Sequence, residues 1–270
     1  RYALALLIRP VVAERNIEAI RRYCPQAMVL FHTVDLHFLR MSREAIHKSD
    51  KVMKKKSTAM KQRELATISA ADAVIVVSTA EFEIIRSELP SVKLHVFPLI
   101  LDMPGTSQPF SKRKDIVFVG GYDHAPNVDA VLYFVAEIMP LLRKQLPGVH
   151  FYAVGSKPIP EILALKAHDV HIVGFVEDLT PLLDEMRVSV APIRYGAGIK
   201  GKIASAMAVG LPVVATSLAT EGMLLNSGEN ILVADGAEDF ANTVVKLYQN
   251  EPLWSHISEK GVLFAEKAWG

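Results

Sequence analysis

Short runs of Val, Ile and Leu, each followed by a helical pattern, govern what this chain can become. The runs are ALALLI (3–8), AMVLF (27–31), AVIVV (73–77), LHVF (94–97), DIVFVG (115–120), VHFYAVG (149–155), VHIVG (170–174), VSVAP (188–192) and PVVAT (212–216). They are continuously apolar rather than alternating, the pattern of parallel strands covered on both faces. Helices are expected at 13–23, 38–68, 80–88, 127–145, 159–167, 179–186, 201–209, 237–249 and 252–267. Such alternation builds an α/β fold with doubly wound sheets.

One segment breaks the rhythm. DMPGTSQPFSKRK (102–114) combines two prolines, a glycine, serines and a basic cluster, and reads as an interdomain linker, placed at 103–114. One Rossmann-like domain is expected at 1–102 and a second at 115–250, with a final helix at 251–270 packing back toward the first. The N-terminal domain has about four strands and is expected to be incomplete. The opening RYALALLIRP reads as an interior strand and a turn, so the chain is expected to belong to a longer polypeptide.

Half of the residues are hydrophobic, enough for sizeable cores, and the single cysteine, Cys24, excludes an intramolecular disulfide framework. No apolar run approaches the roughly 18 residues that cross a bilayer, and no signal-peptide pattern is seen. A cytoplasmic location is the expectation. Residues 1–102 carry 16 Lys and Arg against 11 Asp and Glu, whereas 103–270 carry 14 against 18. The halves are therefore expected to meet different partners. The lysines of HKSDKVMKKKSTAMKQR (47–63) fit a solvated helix face or a contact with anionic lipid at the inner face of the membrane. No aromatic stacking platform accompanies them, which argues against nucleic acid.

Chemistry concentrates just past strand ends, where ligands of open α/β sheets bind. RYGAGIKGK (194–202) precedes a helix and holds Gly196, Gly198 and Gly201 with Arg194, Lys200 and Lys202. Glycines admit close approach of an anion, the helix start offers N–H groups, and the cations add full charge. A bound diphosphate is the economical reading; a flexible loop with solvated lysines is the plain one. VFVGGYDHAPN (117–127) places Gly120 and Gly121 at a second strand–helix junction, a phosphate-facing loop or a tight turn. FHTVDLHF (31–38) gathers His32, Asp35 and His37, either for proton transfer or as a capped surface loop. Ser78 to Glu81 fits a capping box. No Asp-x-Asp occurs, so no metal–diphosphate site of that type is expected. His124, His150, His168 and His171 show no convincing ligand spacing, and Trp254 and Trp269 read as packing residues.

Together these stretches resemble a GT-B glycosyltransferase of family 4. The resemblance runs from FVGGYDHAPNVDAV through GIKGKIASAMAVGLPVVATSLATEG, and it is closest to the lysine-bearing subgroup with GxKxKxxEAMA. It implies two Rossmann-like doubly wound domains, an acceptor-side one and a nucleotide-sugar-binding one. It also implies retaining, metal-independent transfer of a sugar from a nucleotide donor to a cell-surface or secreted glycan or a lipid-linked acceptor. No cofactor is implied beyond the nucleotide sugar as co-substrate. Gly120 and Gly121 match the loop at the donor phosphates, with Gly198, Lys200 and Lys202 at the diphosphate and Arg194 as a helper. Phe175 and Val176 match the segment at the nucleobase. Glu221 and Gly222 match the EG that follows PVV-x-T. Asp35 and His37 match the loop near the transferred sugar, and with Glu221 they are the catalytic candidates. Both family carboxylates are absent: Ser205 stands where EAMA has its ribose-binding glutamate, and Ala197 holds the other position. A degenerate module that binds a sugar nucleotide or a partner without turnover is the competing reading. A sugar-nucleotide epimerase fits the linker and EG segment less well.

Overall fold

The computed structural model describes residues 2–106 and 108–270. Two compact units divide it. The first comprises Arg1–Leu99 with Tyr195–Ile199 and Glu221–Met223; the second comprises Ile100–Arg194, Lys200–Thr220 and Leu224–Gly270. Segment 103–114, expected as a linker, clusters with the second unit. Arg113 explains this. It is fully buried, and its guanidinium donates to the carbonyls of Gln108, Leu183, Met186 and Val209 and pairs with Asp184.

In the first unit the elements are β1 Leu4–Ile8, α1 Pro10–Tyr23, β2 Met28–His32, α2 His37–His47, α3 Lys51–Ala70, β3 Ala73–Val76, α4 Thr79–Glu88 and β4 Leu94–Val96. The strands are parallel in the order β1-β2-β3-β4. Their core face holds Leu7, Val29, Phe31, Val74 and Val76, with Ala13, Ile17 and Ile68 from the helices. The other face is open at β1 and β2, where Leu4, Leu6, Ile8 and Met28 are about half exposed. The single helix expected over 38–68 is two. Ser49 takes a left-handed φ of 53°, and the Asp50 carboxylate accepts from Val52 and Met53 N–H to start α3 afresh.

The second unit contains β5 Lys114–Val119, α5 Ala125–Tyr133, α6 Met139–Gln145, β6 Phe151–Val154, α7 Pro160–Leu163, β7 Val170–Gly174, α8 Thr180–Glu185 and β8 Met186–Ala191. It continues with α9 Gly201–Ala208, β9 Val213–Ala215, α10 Ser217–Thr220, β10 Leu232–Val233, α11 Ala237–Gln249 and α12 Glu251–Trp269. Its strands are all parallel in the order β10-β9-β8-β5-β6-β7, which reverses direction beside β5 and defines a doubly wound sheet. Strand β10 and helix α10 are too short for a periodic signal and were not anticipated.

A π turn, Phe134–Ile138, joins α5 to α6. Pro140 has no N–H to donate back, which disturbs the ladder there. The whole rod Ala125–Gln145 is 21 residues, long and apolar enough to span a bilayer, which corrects the expectation that nothing approaches that length. Ala130, Val131, Phe134, Ile138, Met139 and Leu142 are buried, and Phe134 packs tilted against Phe151 and edge-on to Phe240 of its own unit, so the rod serves as a core helix here. Helix α12 belongs to the second unit, where Trp254 Nε1 donates to Arg187 O at 2.6 Å and Ser258 Oγ to Gly210 O at 2.6 Å. Its buried face, with Trp254, Ile257, Ala265 and Trp269, requires that seat.

Candidate functional site

In the second unit, β5 ends at Val119, and Gly120-Gly121 carry the chain to α5. Glycine is required at Gly120 by close approach. A Cβ there would meet Asn127 Cγ at 2.7 Å. Asn127 sits in the first turn of α5 and donates through Nδ2 to Gly121 O at 2.8 Å, which fixes its Oδ1 as an acceptor. Lys202 Nζ donates to that Oδ1 at 2.7 Å and lies 4.9 Å from the centre of the Phe118 ring. The glycine turn and the lysine loop thus meet through one asparagine, six positions from Gly121 and 75 from Lys202. Residue type alone gives Asn127 no role within VFVGGYDHAPN; the role comes from its two partners.

Lys200, the N-cap of α9, is buried. Neither His124 before α5 nor Lys200 before α9 caps its helix with its own side chain. Two helix starts with open N–H groups and two lysines make a strongly anion-favouring corner. Burial first, and then the neighbouring charge of Lys200, lower the Lys202 pKa to about 7. Arg194 is placed otherwise. Its guanidinium forks onto Asp129 at 2.9 and 2.7 Å and lies over the Tyr133 ring. Asp129 was not anticipated, although its position four residues before Tyr133 on α5 puts both on one helix face.

Ser205 is half-buried and faces a cavity of about 360 Å³ lined also by Asp102, Leu179, Thr180, Leu183 and Val209. Phe175 and Val176 follow β7, with Gly174 at a φ of 84° and Phe175 75% exposed. His150, just before β6, and His171 of β7 stack with ring nitrogens 2.8 Å apart, a pairing that spacing alone does not reveal. Among the described residues, no group of three or more His, Cys, Asp or Glu side chains is arranged to hold a metal ion.

The first unit holds the other candidates. Asp35 accepts from Arg40 Nε at 2.8 Å and faces His37 Nε2 at 3.3 Å. Burial alone would raise the Asp35 pKa, but the His37 hydrogen bond and the Arg40 guanidinium bring it down to about 2. His32 Nδ1 accepts from Val34 N–H at 3.0 Å, and burial lowers its pKa. Val34 holds a left-handed φ of 68°, uncommon for a β-branched residue. The turn is braced from below by two buried carboxylates. Glu64 of α3 accepts from His37 and Phe38 N–H at 3.2 and 3.0 Å, and Glu81 of α4 accepts from Leu36 N–H at 3.0 Å. Ser78 Oγ caps Glu81 N–H as the sequence suggests. Glu64 gave no local signal, because its partners lie some 26 residues away.

The segments Tyr195–Ile199 and Glu221–Met223 cluster with this unit, so the stretch RYGAGIKGK is divided. Gly198, at a φ of 71°, lies against Asp35: an added Cβ would meet Asp35 Cβ at 3.1 Å. Glu221 forms a two-pronged pair with Arg43 at 2.6 and 2.7 Å, and Arg43 also donates to Gly196 O. A Cβ on Gly222 would meet Ser78 Cβ at 2.7 Å. Asp35, His37, Gly198, Glu221 and Gly222 are therefore grouped in the first unit. Gly120, Gly121, Lys200 and Lys202 are grouped in the second.

The family model described as Glycosyl transferases group 1 matches residues 113–250, the stretch that carries the glycine turn, Asn127 and both lysines. The chain belongs to this family. A relative by sequence is an uncharacterized 44.6 kDa protein in the cps region of Klebsiella pneumoniae, 26% identical over 145 residues. That match covers 50% of this chain and 37% of the relative's length. Among solved structures, sucrose-phosphate synthase from Thermosynechococcus elongatus is similar with a TM-score of 0.81 at 17% identity, over 100% of this chain and 70% of that one. Anabaena HepE, solved in complex with UDP and glucose, is similar with a TM-score of 0.75 at 14% identity, over 99% and 74%. The fold is the GT-B fold, with two α/β units that each hold a parallel sheet.

Proposed function

We propose that this chain is part of a retaining, metal-independent glycosyltransferase that moves a sugar from a nucleotide sugar to a cell-surface or secreted glycan. The observation that carries the reading is the corner where α5 and α9 begin. Open N–H groups, Lys200 and Lys202 converge there around Asn127 and the Gly120-Gly121 turn. Such a corner suits the charge that develops on a leaving nucleoside diphosphate as the glycosidic bond breaks. The cations and helix ends take the part a metal plays elsewhere, and no cofactor is needed beyond the donor. The acceptor hydroxyl attacks the face that the diphosphate leaves, and the configuration is retained. The second unit holds the donor, with Phe175 and Val176 at the base and the Ser205 cavity at the ribose. The first unit serves the acceptor, with Asp35, His37 and Glu221 as candidates for contact with the reacting sugar.

The setting follows from the same reading. The Klebsiella relative belongs to a cps region and HepE was solved with UDP and glucose. These favour a UDP-sugar donor and a polysaccharide pathway. A cytoplasmic enzyme that touches the inner membrane face suits this work. Lys51, Lys55 and Lys56 of α3 are exposed, as is Val52, in keeping with contact to anionic lipid.

A screen of UDP-, GDP-, ADP- and dTDP-sugars by thermal shift, followed by turnover assays with and without chelator, tests the reading. Binding of one donor class and turnover indifferent to chelator are expected. Loss of turnover in chelator, restored by Mg²⁺ or Mn²⁺, would overturn metal independence. A second reading, a binding module without turnover, is favoured by Ser205 and Ala197 in place of both carboxylates. Donor binding without any transfer or hydrolysis would decide for it.

A further inference from the structure

One cavity of the second unit has a carboxylate that the fold does not use. About 360 Å³ lies between the segment 101–104, the start of α8 and the second half of α9. Leu179, Leu183 and Val209 give it an apolar wall, and Asp102, Thr180 and Ser205 bring polar side chains to it. Asp102 is exposed, and among the described residues no hydrogen bond or ion pair reaches its carboxylate. Its place is set by the backbone on both sides. Leu101 N–H donates to Trp269 O at 2.8 Å, and Gly105 N–H donates to Ala208 O at 3.1 Å. The segment is thus tied to α12 before Asp102 and to α9 after it, which holds Asp102 at the same space as Ser205.

A lone carboxylate beside two hydroxyls and an aliphatic wall suits one chemistry. Among the described residues that line the cavity there is no cation, which disfavours an anion there. A carboxylate has two acceptor oxygens and takes two adjacent hydroxyls at once, and the aliphatic wall packs against the C–H face of a ring. The ligand class is therefore the vicinal diol of a sugar ring. The position along α9 says which ring. Ser205 follows Lys200 by five positions, about 7.5 Å along the helix axis. A ribose joined through its 5′ carbon to a phosphate at Lys200 spans that reach.

We propose that Asp102 holds the 2′- and 3′-hydroxyls of the donor's ribose. The inference rests on the nucleotide-sugar reading above. It is a binding contact, and no bond forms or breaks. The acid comes from the segment that leads into the second unit, where the helix itself offers only the uncharged Ser205. The serine at 205 is then no sign of a lost donor site, because a carboxylate stands at the same cavity.

Calorimetric titration of UDP, GDP and ADP, each beside its 2′-deoxy and 3′-deoxy counterparts, tests this in the parent chain and in Asp102→Ala. A site built to hydrogen-bond a hydroxyl rejects the analogue that lacks it. For a nucleotide that binds the parent, loss of either hydroxyl should weaken binding about tenfold, as expected for one hydrogen bond to a charged group. In Asp102→Ala the full nucleotide should bind about tenfold or more weakly, and its deoxy forms should bind within about twofold of it. Asp102→Asn keeps one acceptor oxygen and should keep discrimination at one hydroxyl. The double variant Asp102→Ala/Ser205→Glu returns a carboxylate to the cavity from α9 and should recover discrimination. The melting temperature of Asp102→Ala should match the parent, since the carboxylate holds nothing within the protein. Deoxy forms that bind the parent as well as the full nucleotide, or discrimination that persists in Asp102→Ala, would overturn the inference and leave the diphosphate site standing. If Asp102→Ala instead removes the gain in affinity of UDP-glucose over UDP, the diol is that of the transferred sugar and the ribose assignment falls. Absence of binding by all three nucleotides would remove the donor reading and the inference with it.

Discussion

The junction that starts α2 and the junctions that start α5 and α9 present similar sets of unpaired backbone N–H groups, but they are answered differently. At α2 the protein supplies its own anions: Glu64 takes two N–H groups, and Glu81 takes that of Leu36. At α5 and α9 the residue before the helix gives no side-chain cap, and lysines stand at the helix starts instead. A helix start filled by a buried carboxylate is a structural joint. One left uncapped beside lysines is built for an anion that comes and goes. Edits at the first should change stability and spare nucleotide affinity, and edits at the second should do the reverse.

The largest effect is expected at Glu64. Glu64→Ala leaves the N–H groups of His37 and Phe38 buried without their acceptor, at a cost of about 3 kcal/mol. Urea unfolding measures it, and a loss under 1 kcal/mol would break the contrast. UDP affinity should stay within twofold.

Acid tests the same joint. The Asp35 pKa is lowered from 3.8 to about 2, so its pairing with His37 and Arg40 stabilises the fold fully above pH 4 and fades as pH falls toward 2. About 2 kcal/mol is at stake. Asp35→Asn should flatten this limb of the stability profile. An unchanged profile would show that Asp35 is not held as its geometry implies.

At the other junction, Lys200→Ala should weaken nucleoside diphosphate binding at neutral pH by about 2 kcal/mol, or some thirtyfold, with little change in melting temperature. Equal affinity in parent and variant, measured by calorimetry, would remove Lys200 from the site. The smallest effect is expected at Ser205. Ser205→Glu enters a cavity of about 360 Å³, so it should fit without loss of stability. Its carboxylate should add a ribose contact of about 1 kcal/mol, reduced by the neighbouring Asp102. A lower melting temperature with no gain in affinity would shift weight to the module without turnover.

The helices and strands were legible because their signals are local. Apolar runs mark β1 to β9, and Gly120, Gly121, Lys200 and Lys202 stand out by residue type just past strand ends. The break at Ser49-Asp50 was legible in principle, since Asp is a strong N-cap, but the apolar period on either side masked it. The rod 125–145 was misjudged because a core helix and a spanning helix share composition and differ only in what surrounds them.

Partners were the harder matter. A carboxylate's role depends on which backbone or cation it meets, and the fold chooses that over long separations: Glu221 meets Arg43 across 178 positions, and Arg194 meets Asp129 across 65. Both were read as groups directed at ligand, and both carry ion pairs within the protein. Lys202 stands out by type as a group for an anion, and only the fold shows that it meets Asn127 across 75 positions. Residue type and spacing are properties of the chain, so class, element order and the chemistry on offer can be read along it. Burial and pairing are properties of the packed molecule, because dielectric and counter-charge come from neighbours distant in sequence, and they decide which of those groups is structural and which is free to act.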